Sequence, residues 1–511
     1  MRYLSVYRTL AAAAAMLLPA AGCHNRAPVV PKIAVDPMPH KAAVAAVVKP
    51  LMDVEYASGV VIGLYDAGKT EVYGFGKGPG NQPPTASTLF EIGSITKVFT
   101  TLLLADSVER QEVSLQTDLA DLLPPGVTVP VADHRTITLG QLATHTSGLP
   151  PMPPSIAGKS DAGNPYAHYS EDQLFADLVR AQLVAPPGTH VVFSNFGAGV
   201  LGYALGRKLG LGYEGAVLSR VVDPLGLGST FFQVPEGAKF RRATGTNSDL
   251  TPVPYWYYGA LAGAGALISD AHDMLALIEA ELDASSGSAL PLRHAMRFTQ
   301  EQALDHTLGE SAGLGWQIDT AGRFWHTGQT GGFHSFVGFD PKTRRGVVVL
   351  ASTASQLLDR LGEDMYRVLS GDPPRPLHVP SPTQTAEYQG TYSLGGENIA
   401  IVESNKRLYI VGRGVPAIRL LPISENELWI EPLQAVIGFQ QDPATQRVVQ
   451  AIFLRQEQKI IARRISDSTV IDGGIAPPGA PVVPAQPAPP APPQPAPGKP
   501  APAQPAKPAS K

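Results

Sequence analysis

Two hydrophobic periods succeed one another along the chain. Residues 40–52 carry Ala and Val at helical spacing, and the apolar-rich runs 60–64 and 71–75 flank Asp66-Ala67-Gly68, which predicts a β-hairpin closed at that turn. Residues 94–108 have helical periodicity, 333–339 and 346–351 predict a second hairpin across the polar stretch 340–345, and 356–369 predict a closing helix. Strands at both ends with helices between them point to one α/β domain, 40–371, whose sheet gathers distant segments. A Pro-rich joint at 372–387 follows, and then the period shortens to two. Runs at 399–402, 408–411, 418–421, 428–430, 435–439, 448–454 and 459–462 predict a small all-β barrel or sandwich over 388–466. No internal repeat is present.

The two ends have a different character. Residues 1–22 read as an export signal: Arg2 and Arg8, then an Ala/Leu/Met run too short to span a bilayer, then Ala20-Ala21-Gly22 before Cys23. Residues 23–39 read as a linker. From 467 onward the chain reads as a Pro/Ala-rich tail, and 15 of its 49 prolines lie in the last 35 residues. Such a segment buries too little apolar area to fold and is expected to be semi-extended, reaching up to roughly 110 Å at about 3.1 Å per residue.

Composition narrows the function classes. Of 511 residues, 44% are hydrophobic and 16% charged, enough for a sizeable core. The net charge of −4, falling to −6 once Arg2 and Arg8 leave with the signal, gives no reason to expect a nucleic-acid groove. One cysteine excludes an internal disulfide and any Cys-rich metal centre. No metal-ligand spacing such as His-Glu-x-x-His occurs, so neither metal nor cofactor is expected.

Candidate chemistry begins at Ser94-Ile95-Thr96-Lys97, the one Ser-x-x-Lys in the chain. On a helix, positions i and i+3 share a face, so the amine reaches the hydroxyl. At a helix start the macrodipole and partial burial both disfavour an ammonium, which makes the lysine a usable base for a serine that is otherwise a poor nucleophile. Alone the motif is unspecific, since average Ser and Lys usage gives on the order of two chance matches in such a length. It is followed, in order, by Leu142-Ala143-Thr144-His145-Thr146-Ser147-Gly148-Leu149-Pro150, Phe193-Ser194-Asn195, Gly263-Ala264-Gly265-Ala266-Leu267-Ile268-Ser269 and His326-Thr327-Gly328.

With these motifs in this order, the stretch 40–370 resembles the penicillin-binding, class C β-lactamase-like serine hydrolases, whose signatures are Ser-x-x-Lys, Tyr-x-Asn and Lys- or His-Thr-Gly. The resemblance implies an antiparallel sheet flanked by helices with a helical subdomain, and the 388–466 unit looks like the small barrel that often follows such domains. It makes Ser94 the acylated nucleophile, Lys97 its proton acceptor, and Asn195 a hydrogen-bond partner of Lys97 and the substrate amide. His326, Thr327 and Gly328 become an edge strand for substrate, and the amides of Ser94 and Gln329 the oxyanion hole. Cys23 resembles the acylated cysteine of bacterial lipoproteins, and His24 after it favours sorting to the periplasmic face of an outer membrane. The expected partners are peptidoglycan-like peptides, β-lactams or small esters, and a membrane held through Cys23.

One position departs from the family. Phe193 stands where its tyrosine hydroxyl relays protons, help typically worth 10²–10⁴-fold. Lys97, alone or with a water, or Ser194 turned inward, is expected to replace it; otherwise turnover is slow or lost. The reading is therefore an exported, lipid-anchored serine hydrolase acting on D-amino-acid peptides. The alternatives are a carboxylesterase, which a neutral His326 favours, and a silent wall-binding lipoprotein. Gly309-Glu310-Ser311-Ala312-Gly313 matches the nucleophile-elbow pattern but lacks the strand before and helix after that the elbow needs. His145 and Ser147 are expected to be structural. Tyr255-Trp256-Tyr257-Tyr258 fits either the cleft or ordinary packing.

Overall fold

Strand β1 (Gly59–Asp66) is buried on both faces, and its alternate side chains enter two different cores. Val61 and Tyr65 join Val348 and Leu350 on one side; Val60, Ile62 and Leu64 join Val347, Val349 and Ala351 on the other. A strand with period two and apolar side chains at successive positions requires such a sandwich, because a one-residue step switches face. The computed structural model describes residues 38–471 except 158–162, 285–291, 302–303, 306–310, 378 and 457, together with 473–474. The expected signal, Cys23 and the tail from 475 lie outside the described residues.

The first hairpin forms as expected, with β2 (Lys69–Gly76) antiparallel to β1. β1 then pairs with β10 (Arg345–Ala351), so the beginning and end of the domain meet inside the sheet, one strand in from its β2 edge. β10 pairs with β9 (His334–Asp340), β9 with β8 (Phe324–Gln329), and the sheet continues through three two-residue strands, β7 (Gln317–Ile318), β6 (Ser311–Ala312) and β5 (Leu304–Asp305). A separate two-stranded pair joins β3 (Phe90–Glu91) to β4 (Ile268–Ser269). Helices α1 (Lys41–Asp53) and α9 (Asp359–Ser370) cover one face of the large sheet. On the other lie α2 (Thr96–Glu109) and α7 (Ala271–Asp283). The helical subdomain contains α3 (Leu139–Ala143), α4 (Glu171–Arg180), α5 (Asn195–Leu209) and α6 (Gly212–Val217); α8 (Arg293–Glu301) packs against α2 and α7.

Beyond α10 (Pro382–Tyr388) the chain closes an antiparallel barrel of eight strands. All seven predicted runs are strands, β12 (Glu397–Ser404), β13 (Arg407–Gly412), β14 (Ile418–Pro422), β15 (Glu427–Ile430), β16 (Ala435–Gln441), β17 (Val448–Arg455) and β18 (Gln458–Ser466), and β11 (Gly390–Leu394) is an eighth that pairs with both β12 and β18. Closure removes the edges that an open sheet would expose. The lumen is filled by side chains such as Tyr392, Ile401, Leu428, Ile437 and Ala462, so it is a core and not a ligand cup. The barrel is fixed to the hydrolase domain: Leu421 sits in the α1/α9 core, Arg419 donates to the carbonyls of Val54, Glu55 and Ser248, and Glu431 accepts from Ser355 Oγ and Gln356 N.

Candidate active site

Ser94 lies in the 3₁₀ turn Gly93–Ile95 that leads into α2, and Lys97 sits in the first turn of that helix. The i+3 spacing brings Lys97 Nζ to 2.7 Å from Ser94 Oγ. The same nitrogen lies 2.8 Å from Asn195 Oδ1 and 2.8 Å from the carbonyl oxygen of Ala264. Those last two oxygens only accept. A neutral amine has two N–H bonds and one lone pair. With both N–H groups directed at Asn195 and Ala264, the lone pair faces the Ser94 hydroxyl. Burial lowers the Lys97 pKa from its ordinary value to about 7, which makes the neutral form available near neutrality.

Each partner is held in place by its own element. Asn195 opens α5, whose N-cap is Ser194. Its Nδ2 donates to Tyr166 Oη at 3.2 Å, which fixes the amide so that the oxygen faces Lys97. Tyr166 is in turn stacked on Tyr258, with ring centres 4.6 Å apart, and packed edge-on to Trp256. The aromatic quartet is therefore divided: Tyr258 and Trp256 brace Asn195 through Tyr166, while Tyr257 is exposed. Ala264 ends the 3₁₀ segment Gly259–Ala264, which α2 fastens: Thr100 Oγ1 donates to Gly263 O, and Thr96 Oγ1 accepts from Leu267 N.

The amides of Ser94 and Gln329 come together because two glycines let the backbones touch. Gly93 has φ +50, and a Cβ there would lie 2.7 Å from Gln329 N. A Cβ on Gly328 would lie 2.0 Å from Ile92 O and 2.9 Å from Ser94 N. Any larger residue at 328 forces the strand away from the serine. Beside this junction β8 has a split character. Phe324 and Trp325 pair with β7, whereas among the described residues no strand pairs with 326–329 on that side. The motif strand is internal at its start and an edge where it passes Ser94. Its pleat sends His326 toward Lys97 and the Thr327 side chain to the opposite face, beside Phe336.

His326 is buried, and its Nδ1 lies 2.5 Å from Thr327 O, an atom that only accepts; the proton is therefore on Nδ1. Burial, reinforced by the Lys97 charge and only partly offset by that hydrogen bond, pulls its pKa down to about 4. The ring is neutral throughout the physiological range. Phe193 lies over the lysine, with its ring centre 4.9 Å from Lys97 Nζ, and leans on His145 at 4.7 Å between ring centres. Ser194 does not turn inward: its Oγ donates to Pro150 O at 2.6 Å and accepts from Gly197 N. The 144–151 segment serves as the frame of this loop, since His145 O accepts from Val192 N and Pro151 O from Asn195 N. Ser311 lies within β6, paired on both sides, so the strand-turn-helix of a nucleophile elbow is not formed there; Gly309 and Glu310 lie outside the described residues.

A cavity of about 200 Å³ lies beside Lys97, Phe193 and His326. Three functional contacts escaped sequence reading. The Ala264 carbonyl and the Tyr166 hydroxyl act through atoms that no motif names, although Ala264 stands in a segment whose glycines signal close packing. The cavity is built from five separate segments, which only the fold brings together.

With this geometry in view, the comparisons with known proteins are decisive for the family. Residues 44–371, more than half the chain, match the Beta-lactamase family. The chain belongs to the β-lactamase family. As a member it is a serine hydrolase. The β-lactamase-family region is 26% identical over 346 residues to the D-alanyl-D-alanine-carboxypeptidase/endopeptidase AmpH of Escherichia coli, covering 64% of this chain and 88% of that protein. It is 27% identical over 340 residues to Penicillin-binding protein 4 of Amycolatopsis lactamdurans, covering 61% and 86%. Among solved structures, a class C β-lactamase superposes with a TM-score of 0.57 at 24% identity, covering 65% of this chain and 96% of that one. A tyrosine-to-phenylalanine mutant of a class C β-lactamase does so equally well, covering 65% and 97%. These likenesses establish the β-lactamase fold.

Proposed function

We propose that this serine hydrolase works through an acyl-enzyme on Ser94, with D-amino-acid peptides of the cell wall as substrates and β-lactams as substrates or covalent ligands. The observation that carries the reading is the 2.7 Å contact between Ser94 Oγ and a lysine whose pKa is lowered to about 7. Lys97 takes the Ser94 proton as Oγ attacks the carbonyl. The amides of Ser94 and Gln329 receive the oxyanion; one such donor is typically worth about 2.7–4 kcal/mol. Asn195 and the open edge of β8 hold the substrate backbone. Lys97, now an ammonium, returns the proton to the departing group, because Phe193 has none to give. In the second half the amine activates water to release the acyl group. Relatives named as a carboxypeptidase/endopeptidase and as a penicillin-binding protein support the substrate class.

The test is D-alanine release from a pentapeptide stem ending in D-Ala-D-Ala, with Ser94→Ala alongside. Release by wild type and none by the variant is expected; release by both overturns the assignment of Ser94. Export and anchoring form part of the same proposal: Cys23 carries the lipid and places the enzyme at the periplasmic face of the outer membrane. Labelled palmitate incorporated by wild type and by Cys23→Ser alike would overturn that.

A further inference from the structure

The cavity beside Lys97 has a chemical character of its own. Its apolar lining includes Leu142, Ala143, Val191, Phe193, Leu201 and Trp316, and among the described residues no Asp, Glu or Arg borders it. Its hydroxyls are already engaged with the protein. Thr100 Oγ1 donates to backbone carbonyls of Thr96 and Gly263, Thr101 Oγ1 to those of Lys97 and Leu314, and Thr144 Oγ1 to Gly140 O. His145 Nδ1 accepts from Ser194 N, and His326 Nδ1 donates to Thr327 O. The Gln317 amide is the remaining polar side chain of the lining, which otherwise offers mainly dispersion contacts.

Position decides which half of a substrate enters. The oxyanion amides lie at Gly93–Ser94 and Gly328–Gln329, whereas the cavity lies on the Lys97, Phe193 and His326 side. Lys97 returns the proton, so the group that needs it departs on that side. We infer that this cavity receives the departing half of the substrate and selects a neutral, apolar group of about benzene size over a free carboxylate. The inference rests on the acyl-enzyme reading, and it makes D-alanine with its free carboxylate a slower departing group than a neutral apolar one without preventing its release. Size supports it, since a dry apolar cavity of about 150 Å³ accepts benzene, and this one measures about 200 Å³. Charge supports it too: His326 is neutral above about pH 4 and Lys97 above about 7, so no fixed cation borders the cavity to hold a carboxylate at pH 8.

The test uses three N-acetyl-D-alanyl esters, of benzyl alcohol, methyl lactate and lactate. All three form the same acyl-enzyme, so differences in kcat/KM arise in the departing half. The benzyl ester is expected to exceed the lactate ester at least tenfold at pH 8. Val191 is 49% exposed, so Val191→Arg places a cation at the mouth without disturbing the core, and it should cut that ratio below threefold. An independent arm needs no turnover: benzyl alcohol, and not lactate, should quench tryptophan fluorescence saturably, and Trp316→Phe should remove the effect. A ratio near one or reversed, or quenching unchanged in Trp316→Phe, overturns the inference. If penicillin still acylates Ser94 in that case, the acyl-enzyme reading stands and the cavity assignment alone falls. If no Ser94-dependent acylation occurs, the quenching decides the chemistry of the cavity.

Discussion

The Phe193 ring centre lies 4.9 Å from Lys97 Nζ, at the residue where the resemblance to the family implies a tyrosine. An aromatic face attracts a cation, so the ring favours the ammonium, while burial opposes it more strongly. On the proposed mechanism Lys97 is then a base without a separate proton relay. Phe193→Tyr restores the relay on an otherwise unchanged frame, and an increase in kcat/KM of at least about tenfold is expected, within the range typical of general acid–base help. Steady-state kinetics on an aryl ester checks this. An unchanged rate would mean that Lys97 already carries both transfers without loss.

The pH profile follows from the same lysine. With its neutral form as the proposed base, kcat/KM should rise as the pH passes through about 7 and then level off. His326, with its pKa near 4, adds no limb between pH 5 and 9. Lys97→Arg, which stays protonated, should abolish acylation at every pH. A profile flat from pH 5 to 9 would contradict the assignment.

Away from the site, Glu281 is a fully buried carboxyl on α7 whose Oε2 accepts from Gln300 Nε2 and which also interacts with the Trp316 indole. Burial raises its pKa to about 8, only partly offset by the Gln300 and Trp316 hydrogen bonds. The folded protein therefore binds a proton that the unfolded chain has already released above about pH 4.5, and stability falls as the pH climbs from there to about 8. Glu281→Gln removes the ionisation. It should leave the Tm nearly unchanged at pH 4.5 and raise it at pH 8.5, by a gain on the order of a few kcal/mol. Thermal unfolding at the two pH values reads the difference.

Arg419 ties the barrel to the hydrolase domain through three backbone carbonyls, of Val54, Glu55 and Ser248. It is buried, and removing it leaves those acceptors facing an apolar side chain. Each unsatisfied buried group costs about 1–3 kcal/mol. Arg419→Leu should lower the Tm measurably while Ser94 remains reactive toward penicillin. An unchanged Tm would mean that the junction is held by the Leu421 and Glu431 contacts alone.

Legibility in the sequence followed the range of the forces involved. The β1–β2 hairpin could be read because its turn is local, and the start of α2 because its periodicity is. The Ser94–Lys97 contact needs only the pitch of one helix. Longer reach was lost. β5, β6 and β7 have two residues each, too few to show a period, and Gly390-Thr391-Tyr392-Ser393-Leu394 becomes a strand because β12 and β18 lie on either side of it. Ser194 illustrates the same limit. Its residue type allows either a catalytic hydroxyl or a helix cap, and the Pro150 carbonyl, 44 positions away, decides for the cap. The Ala264 carbonyl completes the lysine's shell from a backbone atom, which carries no sequence signal.

The central claim, that Lys97 makes Ser94 a nucleophile, is tested most directly by intact mass of the mature protein after timed incubation with benzylpenicillin. Wild type should gain one penicilloyl adduct that persists, because proton transfer during deacylation lacks the tyrosine, and Ser94→Ala should gain none. No adduct on wild type, or the same adduct on both proteins, would contradict the account.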